Sequence, residues 1–138
     1  MGNNSHGRLG NGQAYATQST PIQIVESGVV DVSAGYNHTL FVKSDGSAWA
    51  MGQNGGDGRL GNNKTQEERS PVKIFDSGIS RVYASIQNSF FLKTDGTLWG
   101  CGDRHRRQLG SMTSTAVRYP IEIAQNVVDA SSQSNTLF

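Results

Sequence analysis

The phrase Asp45-Gly46-Ser47-Ala48-Trp49-Ala50-Met51-Gly52 comes back fifty residues later as Asp95-Gly96-Thr97-Leu98-Trp99-Gly100-Cys101-Gly102, and Met1-Gly2 stands where a further copy ends. No other feature constrains the fold as tightly. Leu9-Gly10, Leu60-Gly61 and Leu109-Gly110 are 51 and 49 residues apart, and Pro21, Pro71 and Pro120 are 50 and 49 apart. A period of this size belongs to propellers, solenoids and arrays. In these, one unit cannot bury its own apolar face, and neighbours must stack to make a core.

Each unit predicts four short strands. Ile22–Val25, Val72–Phe75 and Ile121–Ala124 alternate apolar and polar residues behind a proline, which suits a strand's first position because its missing N–H does no harm there. The next strand is expected over Val29–Ala34, Ile79–Ala84 and Val127–Ser131, and a third over Thr39–Lys43, Phe90–Lys93 and Thr136–Phe138. Asp45-Gly46 and Asp95-Gly96 then turn the chain into a fourth strand, Ser47–Met51 or Thr97–Cys101, which carries the tryptophan. Asp-Gly between alternating apolar residues is a strong hairpin signal, since glycine takes positive φ without strain. The whole predicts an all-β chain, a partial β-propeller of four-stranded antiparallel blades. Its divisions are a partial blade over 1–28, blades over 29–78 and 79–126, and a second partial blade over 127–138.

Composition agrees. The 138 residues include 17 glycines, with 35% hydrophobic and 17% charged residues, a balance for short strands and tight turns rather than amphipathic helices. The net charge of +1 gives no whole-molecule attraction for nucleic acid or an anionic membrane. No apolar run approaches the ~20 residues of a membrane-spanning helix. A single cysteine, Cys101, leaves no internal disulfide and no multi-cysteine zinc site, and reads as a small apolar strand residue in the place of Met51.

Gly2-Asn3-Asn4-Ser5-His6-Gly7-Arg8-Leu9-Gly10, Ala34-Gly35-Tyr36-Asn37-His38-Thr39-Leu40 and the Asp-Gly-Trp-Gly phrase resemble, in that order, the repeat of the regulator of chromosome condensation family. The resemblance implies a seven-bladed propeller, of which this chain holds two full periods and part of a third. It departs at Ser85-Ile86-Gln87-Asn88, at Gln133-Ser134-Asn135, and at Arg107, which stands where Gly7 and Gly58 do. An incomplete ring leaves apolar faces and strand edges open, which favours self-association. The chain is expected to be a fragment of a longer propeller, with an open arc or a ring of several chains as the alternatives. Strands from the two ends could complete one sheet between chains.

No catalytic, cofactor or metal site is expected. His38, at the family's repeated histidine, reads as a structural residue bonding backbone within the blade, and Asn88 is its counterpart. His6 and His105 have no cysteine or carboxylate at metal spacing. Trp49 and Trp99 read as core between blades. There is neither a phosphate-binding loop nor a nucleophile elbow. The candidates for binding a protein partner are Arg104, His105, Arg106 and Arg107, the one cluster of like charge, together with Tyr36, Asn37 and Tyr83 and the loops at 53–59 and 103–107. The expected function is a protein-interaction scaffold, not an enzyme. Guanine nucleotide exchange on a small GTPase, which the resemblance also implies, and a propeller-based hydrolase or lyase are the alternatives.

Overall fold

Alternation of inward and outward side chains builds two four-stranded antiparallel sheets whose faces stack on one another. In the computed structural model, which describes residues 1–104, 109–110, 116–133 and 136–137, the first sheet is β3 (Val29–Ala34), β4 (His38–Lys43), β5 (Ala48–Gly52) and β6 (Glu68–Phe75), in that spatial order. The second is β7 (Ile79–Ala84), β8 (Asn88–Lys93), β9 (Leu98–Gly102) and β10 (Val117–Ala124), likewise in order. Two-residue strands flank them. β1 (Gly2–Asn3) pairs with β2 (Thr17–Gln18) before the first sheet, and β11 (Ser132–Gln133) with β12 (Thr136–Leu137) after the second. The architecture is that of a partial β-propeller, each sheet a blade.

One face of the first sheet carries Leu40, Val42, Ala48 and Ala50, all fully buried. Against it lies the back of the second sheet, with Val82, Ala84, Phe91 and Cys101, and the two sets form one core together with Ile74, Phe75 and Trp99. Phe75, at the end of β6, reaches across to Phe91 and Trp99 at centroid distances of 5.1 and 6.2 Å. Polar residues stitch the same seam. Asp31 Oδ2 and Ser33 Oγ on β3 each accept an outward-pointing backbone N–H of β7, from Val82 and Ala84, at 2.9 Å. Buried edge groups are thereby satisfied without a shared ladder.

The hairpin phrase works through a relay. Asp45 Oδ1 accepts from the backbone N–H and hydroxyl of Ser47, and that hydroxyl accepts from Trp49 Nε1 at 2.9 Å. Asp95, Thr97 and Trp99 repeat it. Trp99 packs into the shared core, while Trp49 stacks parallel to Phe41 at 6.1 Å on the back of the first sheet.

Three strands differ from the sequence expectation. Ile22–Val25 is not a strand, and its unit pairs only through β1 and β2. Its counterpart Val72 pairs with Ala50, and the chain has no residue fifty positions before Ala50 to receive Ile22. Pro71 and Pro120 lie inside β6 and β10 rather than at their starts. The register breaks there, between Gly52↔Glu68 and Ala50↔Val72 and between Val117 and Ile121. A bulge on an edge strand is where a residue without an N–H fits. Val127–Ser131 is irregular, and pairing begins only at Ser132.

Candidate functional site

In an antiparallel sheet, alternate connections leave from the same end. The β3–β4 and β5–β6 loops of the first sheet and the β7–β8 and β9–β10 loops of the second therefore gather on one rim. Two arginines lock it. Arg8 and Arg59 both precede a Leu-Gly pair, and each reaches the β3–β4-type loop of the following blade: Arg8 donates to Tyr36 O at 2.8 Å and Arg59 to Ile86 O at 2.9 Å. Arg59 is nearly buried, with its other nitrogen on Asp57 at 2.6 Å. Such charge-assisted bonds hold loop to loop better than neutral ones.

Asn4 and Asn54 fold the long loops around themselves. Each is fully buried. Asn4 Oδ1 accepts from Leu9 N–H and its Nδ2 donates to Asn11 Oδ1 and Gln13 O. Asn54 makes the same three bonds to Leu60, Asn62 and Lys64. In the third loop the residue at this position is Arg104. Gly7 and Gly58 hold φ of 74° and 71°, and a Cβ on them would fall 2.7 Å from Arg69 Cα and 2.6 Å from Arg118 Cα.

His38 is buried behind the rim. Ser89 Oγ donates to Arg59 O at 2.5 Å, so it accepts from His38 Nε2, which is 3.0 Å away; this fixes the tautomer. Burial first and the Arg59 charge second lower its pKa to about 3. It thus bonds the following blade's hydroxyl rather than backbone of its own blade. Asn88 does bond backbone, donating to Asp103 O at 2.6 Å. Burial pushes the Cys101 thiol up to about 12, which leaves it un-ionised and inert.

The sequence candidates separate on this frame. Tyr36 stands on the rim with 68% of its surface exposed, and beside it Asn37 Nδ2 donates to Gln53 Oε1 at 2.9 Å. Arg104 is half-buried at the rim's other end, and His105, Arg106 and Arg107 lie outside the described residues. Tyr83 is on β7, away from Tyr36. Its hydroxyl donates to Asp129 at 2.7 Å and accepts from Ala130 N–H at 3.2 Å, in the manner of Asp31 and Val82. Burial, and then Asp129, raise its pKa. Sequence reading missed Arg8, Arg59, Asp31 and Ser33; the signal for the arginines was their shared place before Leu-Gly. Among the described residues no group of His, Cys, Asp and Glu could hold a metal ion. No helix there is long and apolar enough to cross a membrane.

A stacked pair of four-stranded blades with its loops gathered on one rim defines a propeller of the repeat class. The regulator of chromosome condensation (RCC1) repeat matches residues 1–42, and a second description of the same repeat matches residues 29–59. The chain is built from repeats of the regulator of chromosome condensation type. Curated protein sequences yield no match. Among solved structures it is similar to human WBSCR16, with 28% identity and a TM-score of 0.79 over 97% of this chain and 37% of that one. It also resembles Prp20p from Saccharomyces cerevisiae, whose structure is described with its binding to Gsp1p and histones (16% identity, TM-score 0.82, 97% of this chain, 36% of that one). Yeast RCC1 (Prp20) bound to Kap60 gives 15% identity and a TM-score of 0.76 over 99% of this chain and 36% of that one. The chain spans little more than a third of the length of these proteins.

Proposed function

We propose that the chain is a protein-interaction scaffold that offers its loop rim to a protein partner. The observation that carries this reading is that consecutive loops are tied to one another as well as to their own blades. Arg8 holds Tyr36, Asn37 O accepts from Gln53 N–H at 2.8 Å, Arg59 holds Ile86, and Gln87 O accepts from Asp103 N–H at 3.1 Å. A rim fixed in this way loses little conformational freedom on binding. It presents exposed Tyr36 and partly exposed Ile86, an aromatic and an aliphatic contact of the kind that anchors interfaces. The sequence sets Arg104, His105, Arg106 and Arg107 at one end, suited to an acidic patch on the partner. The likeness to proteins whose structures are described with protein partners supports the same class.

The test is capture of partners by the purified chain and by two variants, Y36A/N37A and R104A/R106A/R107A. A specific partner should be lost from both by roughly tenfold in affinity, equivalent to about 1.4 kcal/mol, with far-UV spectra unchanged. Retention of every partner by both variants would remove the rim from consideration. Nucleotide release from a labelled small GTPase, unaltered by the chain, separates this reading from an exchange factor.

A further inference from the structure

The back of the first sheet lacks the cover that the back of the second sheet has. On β7 the residues of this face, Val82 and Ala84, are 3% and 8% exposed against the first sheet. Their counterpart Val32 is 63% exposed and neighbouring Val30 is 61% exposed, with Ala34 exposed beside them. Backbone donors follow suit. Gly35 N–H bonds His38 O at 2.9 Å, and alternation from that pair turns the N–H groups of Val32 and Ala34 away from β4. On β7 the same two donors are taken by Asp31 and Ser33; on β3 no side chain among the described residues takes them. Further out, Val25 stands where Phe75 fills the seam between sheets. A cleft of about 320 Å³ remains there, between Val25, Glu26, Phe41, Lys43 and Trp49.

We infer that this face is covered by a second copy of the chain, joined head to tail. The interface between the two sheets already shows what fits: an apolar sheet face whose inner segment carries two acceptors two residues apart. Residues 127–133 repeat that pattern, with Asp129 and Ser131 at the positions of Asp31 and Ser33. Both are exposed. Asp129 Oδ1 is engaged by Arg81 and Tyr83, while its Oδ2 makes no bond among the described residues. Residues 127–137 supply the inner part of a unit and residues 1–28 the outer part, so the joint between copies places two partial units in one layer. The contact is heterologous, with a different surface on each copy, and it propagates until the arc closes.

Light scattering of the 138-residue chain across a concentration series tests this. The chain should form a discrete oligomer. Val32→Asp, which places a carboxylate on the covered face, should weaken association by roughly a hundredfold. Ser131→Arg should do the same from the other surface, and both variants should keep the wild-type far-UV spectrum. The decisive mixture is V32D with S131R. Each keeps one good surface, so together they should stop at a one-to-one pair that neither forms alone. A monomeric wild-type chain, an irregular aggregate insensitive to V32D, or a mixture that stays monomeric would each overturn the inference. None of these results bears on the loop rim, which lies at the end of the sheets and not on their faces.

Discussion

His38 stays neutral in the folded chain across ordinary pH because burial holds its pKa at about 3, well under the 6.5 of a free imidazole. The unfolded chain takes up a proton at this residue as pH falls through 6.5, and the folded chain does not until about 3. Stability attributable to His38 is therefore present above pH 6.5 and is lost progressively between 6.5 and about 3. Between pH 7.5 and 5.5 the loss is about 1.4 kcal/mol. His38→Asn places there the amide that Asn88 carries in the next blade. It should cost about 1–2 kcal/mol at pH 7.5, through the bond to Ser89, and should remove this share of the pH dependence. Urea titrations of both proteins at the two pH values check it; an equal pH dependence in the variant would mean that His38 is solvated. The repeat made His38 legible as structural, because a histidine that alternates with asparagine at one position is holding hydrogen bonds. Its partner was not legible, since Ser89 lies 51 residues away in the neighbouring blade and no local pattern pairs them. Arg8 and Arg59 escaped for the same reason.

The hairpins between β4 and β5 and between β8 and β9 offer a comparison of one element in two settings. Gly46 and Gly96 hold φ of 79° and 83°, so an alanine carries the same backbone strain in either. The surroundings differ: a Cβ on Gly46 would fall 2.7 Å from the backbone N of Gly78, whereas on Gly96 its nearest neighbour is Val127 O at 3.6 Å. Gly46→Ala should therefore cost about 2–3 kcal/mol, strain plus displacement of the chain entering β7, and Gly96→Ala about 1 kcal/mol. Chemical denaturation of the two variants decides it, and equal losses would mean that the seam at Gly78 yields freely. The turns themselves were readable from Asp-Gly, because their requirement is local. Strand pairing was readable only where the partner strand exists in the chain. Ile22–Val25 has the alternation of its counterparts but lacks the strand equivalent to Ala48–Ala50, and alternation alone does not make a sheet. Pro71 and Pro120 show the converse, since a bulge that admits proline inside a strand leaves no mark in the pattern.

At the scale of the molecule, stability resides in the stacking of blades, and two adjacent phenylalanines on β8 separate that contribution from what each sheet holds alone. Phe90 and Phe91 are both fully buried but point to opposite faces. Phe91 lies in the core shared by the two sheets, against Phe75 from the first. Phe90 lies on the far face of the second sheet, with Leu92, Leu98 and Leu109. Truncation of either to alanine should cost about 3–5 kcal/mol. In a repeat array, total stability is close to a sum of unit terms and nearest-neighbour terms, so equal losses need not spread equally. Phe91→Ala removes a nearest-neighbour term and should lower amide-exchange protection in β4 and β5 as well as in β8 and β9. Phe90→Ala should lower it chiefly in β8, β9 and β10. If exchange in the first sheet were indifferent to Phe91→Ala, the sheets would be folding independently and the seam of Asp31, Ser33 and Phe75 would be contact without coupling. The rim depends on that coupling, because Arg8 and Arg59 tie each loop to the following blade.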